Sequence, residues 1–190
     1  MRIIGGRHRG RRLAAPQGLA VRPTSDRARE ALFDILSHGR FAACGLPFAD
    51  ETVLDAFAGT GALGLEALSR GAARAVFIEN AAPALAALRR NIAALGEGGR
   101  TLILPGDATR PPRAGEACAL VFIDPPYRSG LAGPALLALD AAGWLRPGAL
   151  VVLETAARER PPPPAGFTLL DERVYGAARL TFLRRERVRE

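Results

Sequence analysis

The chain has 190 residues, 48% of them hydrophobic and 24% charged, a balance that fits one folded domain and excludes a disordered chain. No apolar run approaches the roughly 20 residues of a membrane span, and Met1–Gly6 lacks the apolar stretch of a secretory signal, so a cytoplasmic location and no membrane partner are expected. The net charge is +7, all 26 basic residues are arginine, and Cys44 and Cys118 have neither disulfide nor zinc spacing, so no metal is expected.

Residues 1–40 hold nine of the arginines against Asp26, Glu30 and Asp34, whereas the rest of the chain is close to neutral. A basic end on a neutral body is the footprint expected for a polyanion partner; an arginine-coloured solvated surface is the bland alternative. Within that end, Arg2–Ile4 and Arg11–Leu13 flank a glycine-rich basic turn and read as two short strands. Such a hairpin is too small to be stable alone, so it must lean on the main domain or order on its partner. Residues 1–22 are therefore read as a basic arm, and residues 23–190 as the main domain with an N-terminal helix.

Pro23–Asp26 supplies helix-start chemistry, and the apolar spacing that follows predicts a helix over 26–37. From Thr52 onward, short β-rich runs at 52–56, 75–79, 101–104, 119–123 and 149–154 alternate with helical stretches at 61–70, 82–95 and 131–141. That alternation predicts parallel strands with helices on both faces. After Pro161–Pro164, a stiff connector, residues 167–170 and 180–183 form a closing antiparallel pair that turns at Tyr175-Gly176. The expected fold class is α/β and Rossmann-like: a seven-stranded, mostly parallel sheet with one antiparallel strand, helices on both faces and a small N-terminal basic hairpin.

The first strand runs straight into Phe57-Ala58-Gly59-Thr60-Gly61 and a helix. Glycines at such a junction bring bare backbone against a ligand, and the helix start presents free N–H groups. Read literally, Gly59 to Gly64 is a dinucleotide fingerprint with Glu79 at the next strand end, so a dehydrogenase has to be weighed. Asp55 argues the other way, because a carboxylate ahead of the turn repels a pyrophosphate but suits an ammonium-bearing tail. S-adenosylmethionine has that tail, a sulfonium and no phosphate. Glu79, followed by Asn80, suits the ribose hydroxyls, and Asp107, followed by Ala108, suits an adenine amino group. A plain turn or cap is the alternative for each acid.

The sharpest signal is the apolar strand ending in Asp124-Pro125-Pro126-Tyr127. The prolines fix φ and remove two donors, leaving carbonyls beside the Asp124 carboxylate as acceptors. A planar amino group needs two acceptors to aim its nitrogen, and Asp124 with the Pro125 carbonyl can supply them. Tyr127 would stack on the base. Positioning of this kind is worth roughly 7–11 kcal/mol, enough to carry much of a methyl transfer without a strong base.

Taken together, these motifs resemble the amino-group methyltransferases of class I. Met1-Arg2-Ile3-Ile4-Gly5-Gly6, Arg9–Leu13, Arg22–Phe33 and Gly59–Gly71 narrow the resemblance to the bacterial small-subunit rRNA guanine-N2 methyltransferase family, over nearly the whole chain. The resemblance implies transfer of one methyl from S-adenosylmethionine, leaving S-adenosylhomocysteine, to N2 of guanine 966 in 16S rRNA. It also implies a small ribosomal subunit or its assembly intermediate as partner. By the same resemblance Asp55 to Gly61, Glu79 and Asp107 hold the cofactor, and Asp124 to Tyr127 form the catalytic turn. Arg7, Arg9, Arg11 and Arg12 would meet phosphates, while Arg22 and Thr24 would close over the target; a monomer is expected. An N6-adenine methyltransferase and a noncatalytic rRNA-binding assembly factor are the rival readings.

Overall fold

The computed structural model describes residues 1–15, 26–38, 41–42, 46–126 and 128–186. In chain order it contains α1 (Asp26–Ser37), β1 (Thr52–Ala56), α2 (Ala62–Ser69), β2 (Arg74–Glu79), α3 (Ala82–Leu95), β3 (Thr101–Pro105), β4 (Cys118–Ile123), α4 (Ala132–Ala141), β5 (Leu145–Ala156), β6 (Phe167–Tyr175) and β7 (Ala178–Arg185). The strands form one sheet of seven in the order β3-β2-β1-β4-β5-β7-β6. The pairs among β1 to β5 are parallel, and β7 runs antiparallel to both of its neighbours, so it is the single reversed strand. The expected α/β fold, a seven-stranded sheet with one reversed strand and helices on both faces, is the observed one.

Burial explains the composition of the central strands. β1 and β4 are buried at every position, which requires the near-continuous apolar runs Thr-Val-Leu-Asp-Ala and Cys-Ala-Leu-Val-Phe-Ile. On one face, Val53, Phe77, Phe122 and Val152 pack with Leu32 and Phe33 of α1, Leu65 and Leu68 of α2, and Leu88 and Ile92 of α3. On the other face, Leu54, Val121, Ile123 and Leu153 pack with Leu136 and Leu139 of α4 and with Trp144. Trp144 donates its indole N–H to the Pro112 carbonyl at 2.8 Å, and burial pushes the Cys118 thiol up to about 12, so it is an inert core group.

Two elements differ from the sequence expectation. β5 begins at Leu145, four residues earlier than expected, because it crosses Pro147-Gly148 beside a register shift between Cys118 and Leu120 of β4. A proline and a glycine hide a strand from propensity, and the irregular pairing is what tolerates them. At the N-terminus the two short strands reduce to one antiparallel bridge, Arg2↔Arg12, closed by a single 3-10 turn at Gly6–His8.

That N-terminal segment is held by α2 rather than by itself. Glu66, in the otherwise apolar helix Ala-Leu-Gly-Leu-Glu-Ala-Leu-Ser, is fully buried, and its carboxylate accepts the Ile4 N–H at 2.7 Å and the Gly5 N–H at 2.8 Å. Arg70 donates its Nε–H to the same carboxylate at 2.7 Å. Arg29 of α1, also fully buried, lies 3.8 Å from Glu66 through its Nε and reaches the Arg2 carbonyl and Asp26 through Nη2. Its Nε and Nη1 make no hydrogen bond, so the charges of Glu66 and Asp26 together compensate this guanidinium. Among the described residues no helix is long and apolar enough to cross a membrane.

Candidate active site

The chain order switches direction between β1 and β4, where β1 lies beside both β2 and β4. In an open parallel sheet this opens a crevice beyond the carboxyl ends of those strands. The glycine turn leaves β1 there and the Asp-Pro-Pro corner leaves β4 there, with Ala56 level with Ile123 in the register. The Asp124 N–H still points to the Ala56 carbonyl at 3.4 Å. The two motifs are therefore neighbours in space.

The turn is fixed by hydrogen bonds within the protein. Glu79, at the end of β2, accepts the Gly59 N–H at 2.7 Å through one oxygen and the Asn80 and Ala81 N–H groups at 2.9 and 2.8 Å through the other. It thus caps the start of α3 while clamping the turn. Phe57 takes a left-handed φ of 63°, a conformation costly for a residue with a side chain and found where a site over-determines its backbone. Thr60 turns away from the crevice, its hydroxyl 3.8 Å from the Met1 sulfur. Asn91 of α3, almost wholly buried, donates to the Thr60 carbonyl at 3.0 Å and the Ala14 carbonyl at 3.2 Å, and accepts the Ala14 N–H at 2.7 Å. The glycine turn and the N-terminal segment share this one amide.

Gly64 owes its identity to packing. A Cβ built there would stand 2.4 Å from Cε1 and 2.8 Å from Cζ of Phe77, a ring with no exposure in the middle of β2. α2 can approach the sheet closely only without that atom. Gly64→Ala is expected to lower the free energy of unfolding by about 1–3 kcal/mol, read by urea denaturation. Phe77→Leu in the same chain should return part of the loss.

Asp55 is buried, and its Oδ2 accepts the Gly64 N–H at 2.9 Å, answering one of the unpaired donors at the start of α2. Burial raises its pKa from 3.8 to about 7, the Gly64 hydrogen bond opposing this and the nearby Glu79 charge adding to it. The folded protein keeps a proton between pH 4 and 7 that the unfolded chain has already released. Stability contributed by this group is accordingly greatest below pH 4, falls as pH rises through that window, and levels off above about 7, with a slope approaching 1.4 kcal/mol per pH unit, roughly. Asp55→Asn should remove that component from a plot of unfolding free energy against pH.

Of the remaining acids, Asp107 is exposed after β3 and accepts both the N–H and the hydroxyl of Thr109 at 2.8 Å, which hold its carboxyl below the usual range. Ala108 beside it is buried. Asp124 is half-buried and Pro125 buried, while Pro126 is exposed and its carbonyl accepts the Ser129 N–H at 3.2 Å. Tyr127, Arg22 and Thr24 lie outside the described residues. Among the arm arginines, Arg7 is paired with buried Glu97, which also meets His8 and Arg100. Arg11 donates to the Ala94 carbonyl at 2.7 Å, and Arg9 and Arg12 are exposed with no ion pair among the described residues.

Sequence reasoning missed Glu66, Glu97 and Glu154. Glu66 and Glu154 carry a usable signal, a lone charge in an apolar helix and at the end of an apolar strand, the same pattern that made Asp124 visible. Glu97 sits in a polar stretch and could not be singled out.

The glycine turn can receive a ligand. A Cβ at Gly59 would meet nothing nearer than the Phe57 carbonyl at 4.0 Å, so this position faces open space rather than packing, and Gly59 and Gly61 take φ of 56° and 80°. An acidic turn without a basic partner among its own residues fits a cationic, phosphate-free cofactor such as S-adenosylmethionine better than a pyrophosphate.

Comparison with known proteins covers nearly the whole chain. The family model described as conserved hypothetical protein 95 matches residues 1–184. Ribosomal RNA small subunit methyltransferase D of Escherichia coli K12 is 38% identical over 187 residues, 98% of this chain and 90% of the relative. The chain belongs to the ribosomal RNA small subunit methyltransferase D family. The Haemophilus influenzae protein of the same name is 34% identical over 93% of this chain and 89% of its own. In solved structures, the Escherichia coli protein yhhF superposes with a TM-score of 0.83 at 39% identity, covering 98% of both chains. A Thermus thermophilus hypothetical protein gives 0.75 at 32% identity, covering 99% of both. The matches span the N-terminal segment as well as the sheet.

Proposed function

We propose that this protein transfers a methyl group from S-adenosylmethionine to the exocyclic N2 of a guanine in 16S rRNA, acting as a monomer on the small ribosomal subunit or an assembly intermediate of it. The observation that carries the reading is the adjacency of the Asp124-Pro125-Pro126 corner and the glycine turn at the ends of neighbouring strands β4 and β1. The name carried by the relatives, small subunit methyltransferase, supports the RNA substrate.

In this reading Gly59 to Gly61, Glu79 and Asp107 hold the methyl donor together with Asp55, whose carboxyl gains its charge as pH rises through about 7. When bound, the cofactor supplies a methyl carbon activated by a sulfonium. Asp124 and the Pro125 carbonyl accept the two hydrogens of the amino group and aim its nitrogen at that carbon. Once the sulfonium had supplied its methyl to the nitrogen and left as the neutral thioether, Asp124 or water would take the nitrogen's surplus proton. Tyr127 stacks on the turned-out base. Arg9, Arg11 and Arg12 meet phosphates with Arg22 and Thr24, whereas Arg7 is committed to Glu97.

The test is to incubate the protein with labelled methyl donor and small subunits lacking the modification, then digest the rRNA to nucleosides. N2-methylguanosine at one position is the expected product. N6-methyladenosine, or label on naked DNA in preference to subunits, would reject the substrate assignment.

A further inference from the structure

We infer that Arg90 of α3 is part of the RNA-binding surface, where it continues toward the crevice the line of phosphate contacts that Arg11 begins. This rests on the function proposed above and adds to its RNA surface a residue outside the N-terminal segment. Two sets of bonds lay that segment along α3. Arg11 donates to the Ala94 carbonyl at 2.7 Å in the last turn of the helix, and Ala14 exchanges bonds of 2.7 and 3.2 Å with the Asn91 side chain, three residues earlier. The segment therefore runs from the far end of α3 toward its start. That start lies at the crevice, where Glu79 accepts the Asn80 and Ala81 N–H groups together with the Gly59 N–H of the glycine turn.

Helix geometry then separates two adjacent arginines. Arg90 stands four residues before Ala94 and shares its strip of helix surface, beside the N-terminal segment. Arg89 is turned about 140° from Ala94 and about 160° from Asn91, onto the opposite flank. Both are exposed, and neither makes an ion pair among the described residues. α3 holds no acidic residue, and the positions three and four away from Arg90 on either side are all alanine, so no neighbour in the helix neutralises or covers it. Along the axis Arg90 lies about 6 Å from Ala94 and about 12 Å from Ala82 at the crevice end. Arg11 spends one N–H on Ala94 and keeps others for a phosphate. A strand that meets Arg11 and follows this strip to the crevice passes Arg90.

The test measures affinity for small subunits lacking the modification, by co-sedimentation across a salt series, with Arg89 as the internal control. Arg90→Gln should lower the slope of log affinity against log salt by about 0.7, the share of one phosphate contact on a single strand, and raise the KM for subunits several-fold. Arg90→Lys, which keeps the charge, should keep the wild-type slope. Arg89→Gln removes the same unit of net charge from the adjoining position and should leave slope and KM as in the wild type. A wild-type slope in Arg90→Gln, an equal change in Arg89→Gln, or a slope in Arg90→Lys as low as that of Arg90→Gln overturns the inference. A wild-type protein that neither binds nor methylates subunits overturns the proposed function, and this inference with it.

Discussion

Asp124→Ala is expected to lower the single-turnover rate of methyl transfer by about 10²–10³-fold while leaving Tm and rRNA binding near their wild-type values. The lone pair of an exocyclic amine is delocalised into the ring, so the nitrogen must lose conjugation as it attacks, and positive charge develops on it. An acceptor preorganised at that point contributes more in the transition state than in the ground state, which is the condition for raising kcat. The corner itself should survive the substitution, because its geometry comes from Pro125, Pro126 and the backbone bond from the Asp124 N–H to Ala56. Rapid-quench measurements with saturating subunits read the rate, and filter retention reads RNA binding. A rate within threefold of wild type would remove Asp124 from the mechanism.

The largest effect on stability is expected from Glu66→Ala, a loss of about 3–5 kcal/mol in urea unfolding. The carboxylate serves four groups at once: the Ile4 and Gly5 N–H, the Arg70 side chain and the buried charge of Arg29. Its removal leaves the buried guanidinium with the half-exposed Asp26 as its counter-charge, which a domain stable by only about 5–15 kcal/mol tolerates poorly. Trypsin should then cut within Arg7–Arg12 faster than in the wild type. Replacing both charges, Glu66→Leu with Arg29→Met, should recover part of the stability. The recovery stays partial because the two backbone donors still lack an acceptor.

The reach of sequence reasoning follows from how local each signal is. The Gly59–Gly64 turn and the Asp-Pro-Pro corner are legible because the residues that make each one are consecutive, and the alternation of apolar runs with helical spacing gave the sheet and its reversed last strand. Asp55 shows the limit. Its position ahead of the turn is visible, but its hydrogen bond to Gly64 depends on how closely α2 settles on β1, which Phe77 in another strand decides. Arg7 likewise reads as a phosphate ligand until the fold brings it to Glu97, 90 residues away. Glu66 holds backbone 61 and 62 residues distant, and no spacing rule connects such partners.

Asn91 has a thermodynamic corollary. Because one buried side chain fastens both the Thr60 carbonyl and Ala14, stiffening either the nucleotide-like seat or the leading strap restrains the other. Occupancy of the two should then be linked, and linkage is reciprocal: whatever factor the methyl donor adds to the grip on ribosomal particles, those particles must return to the donor's own dissociation constant.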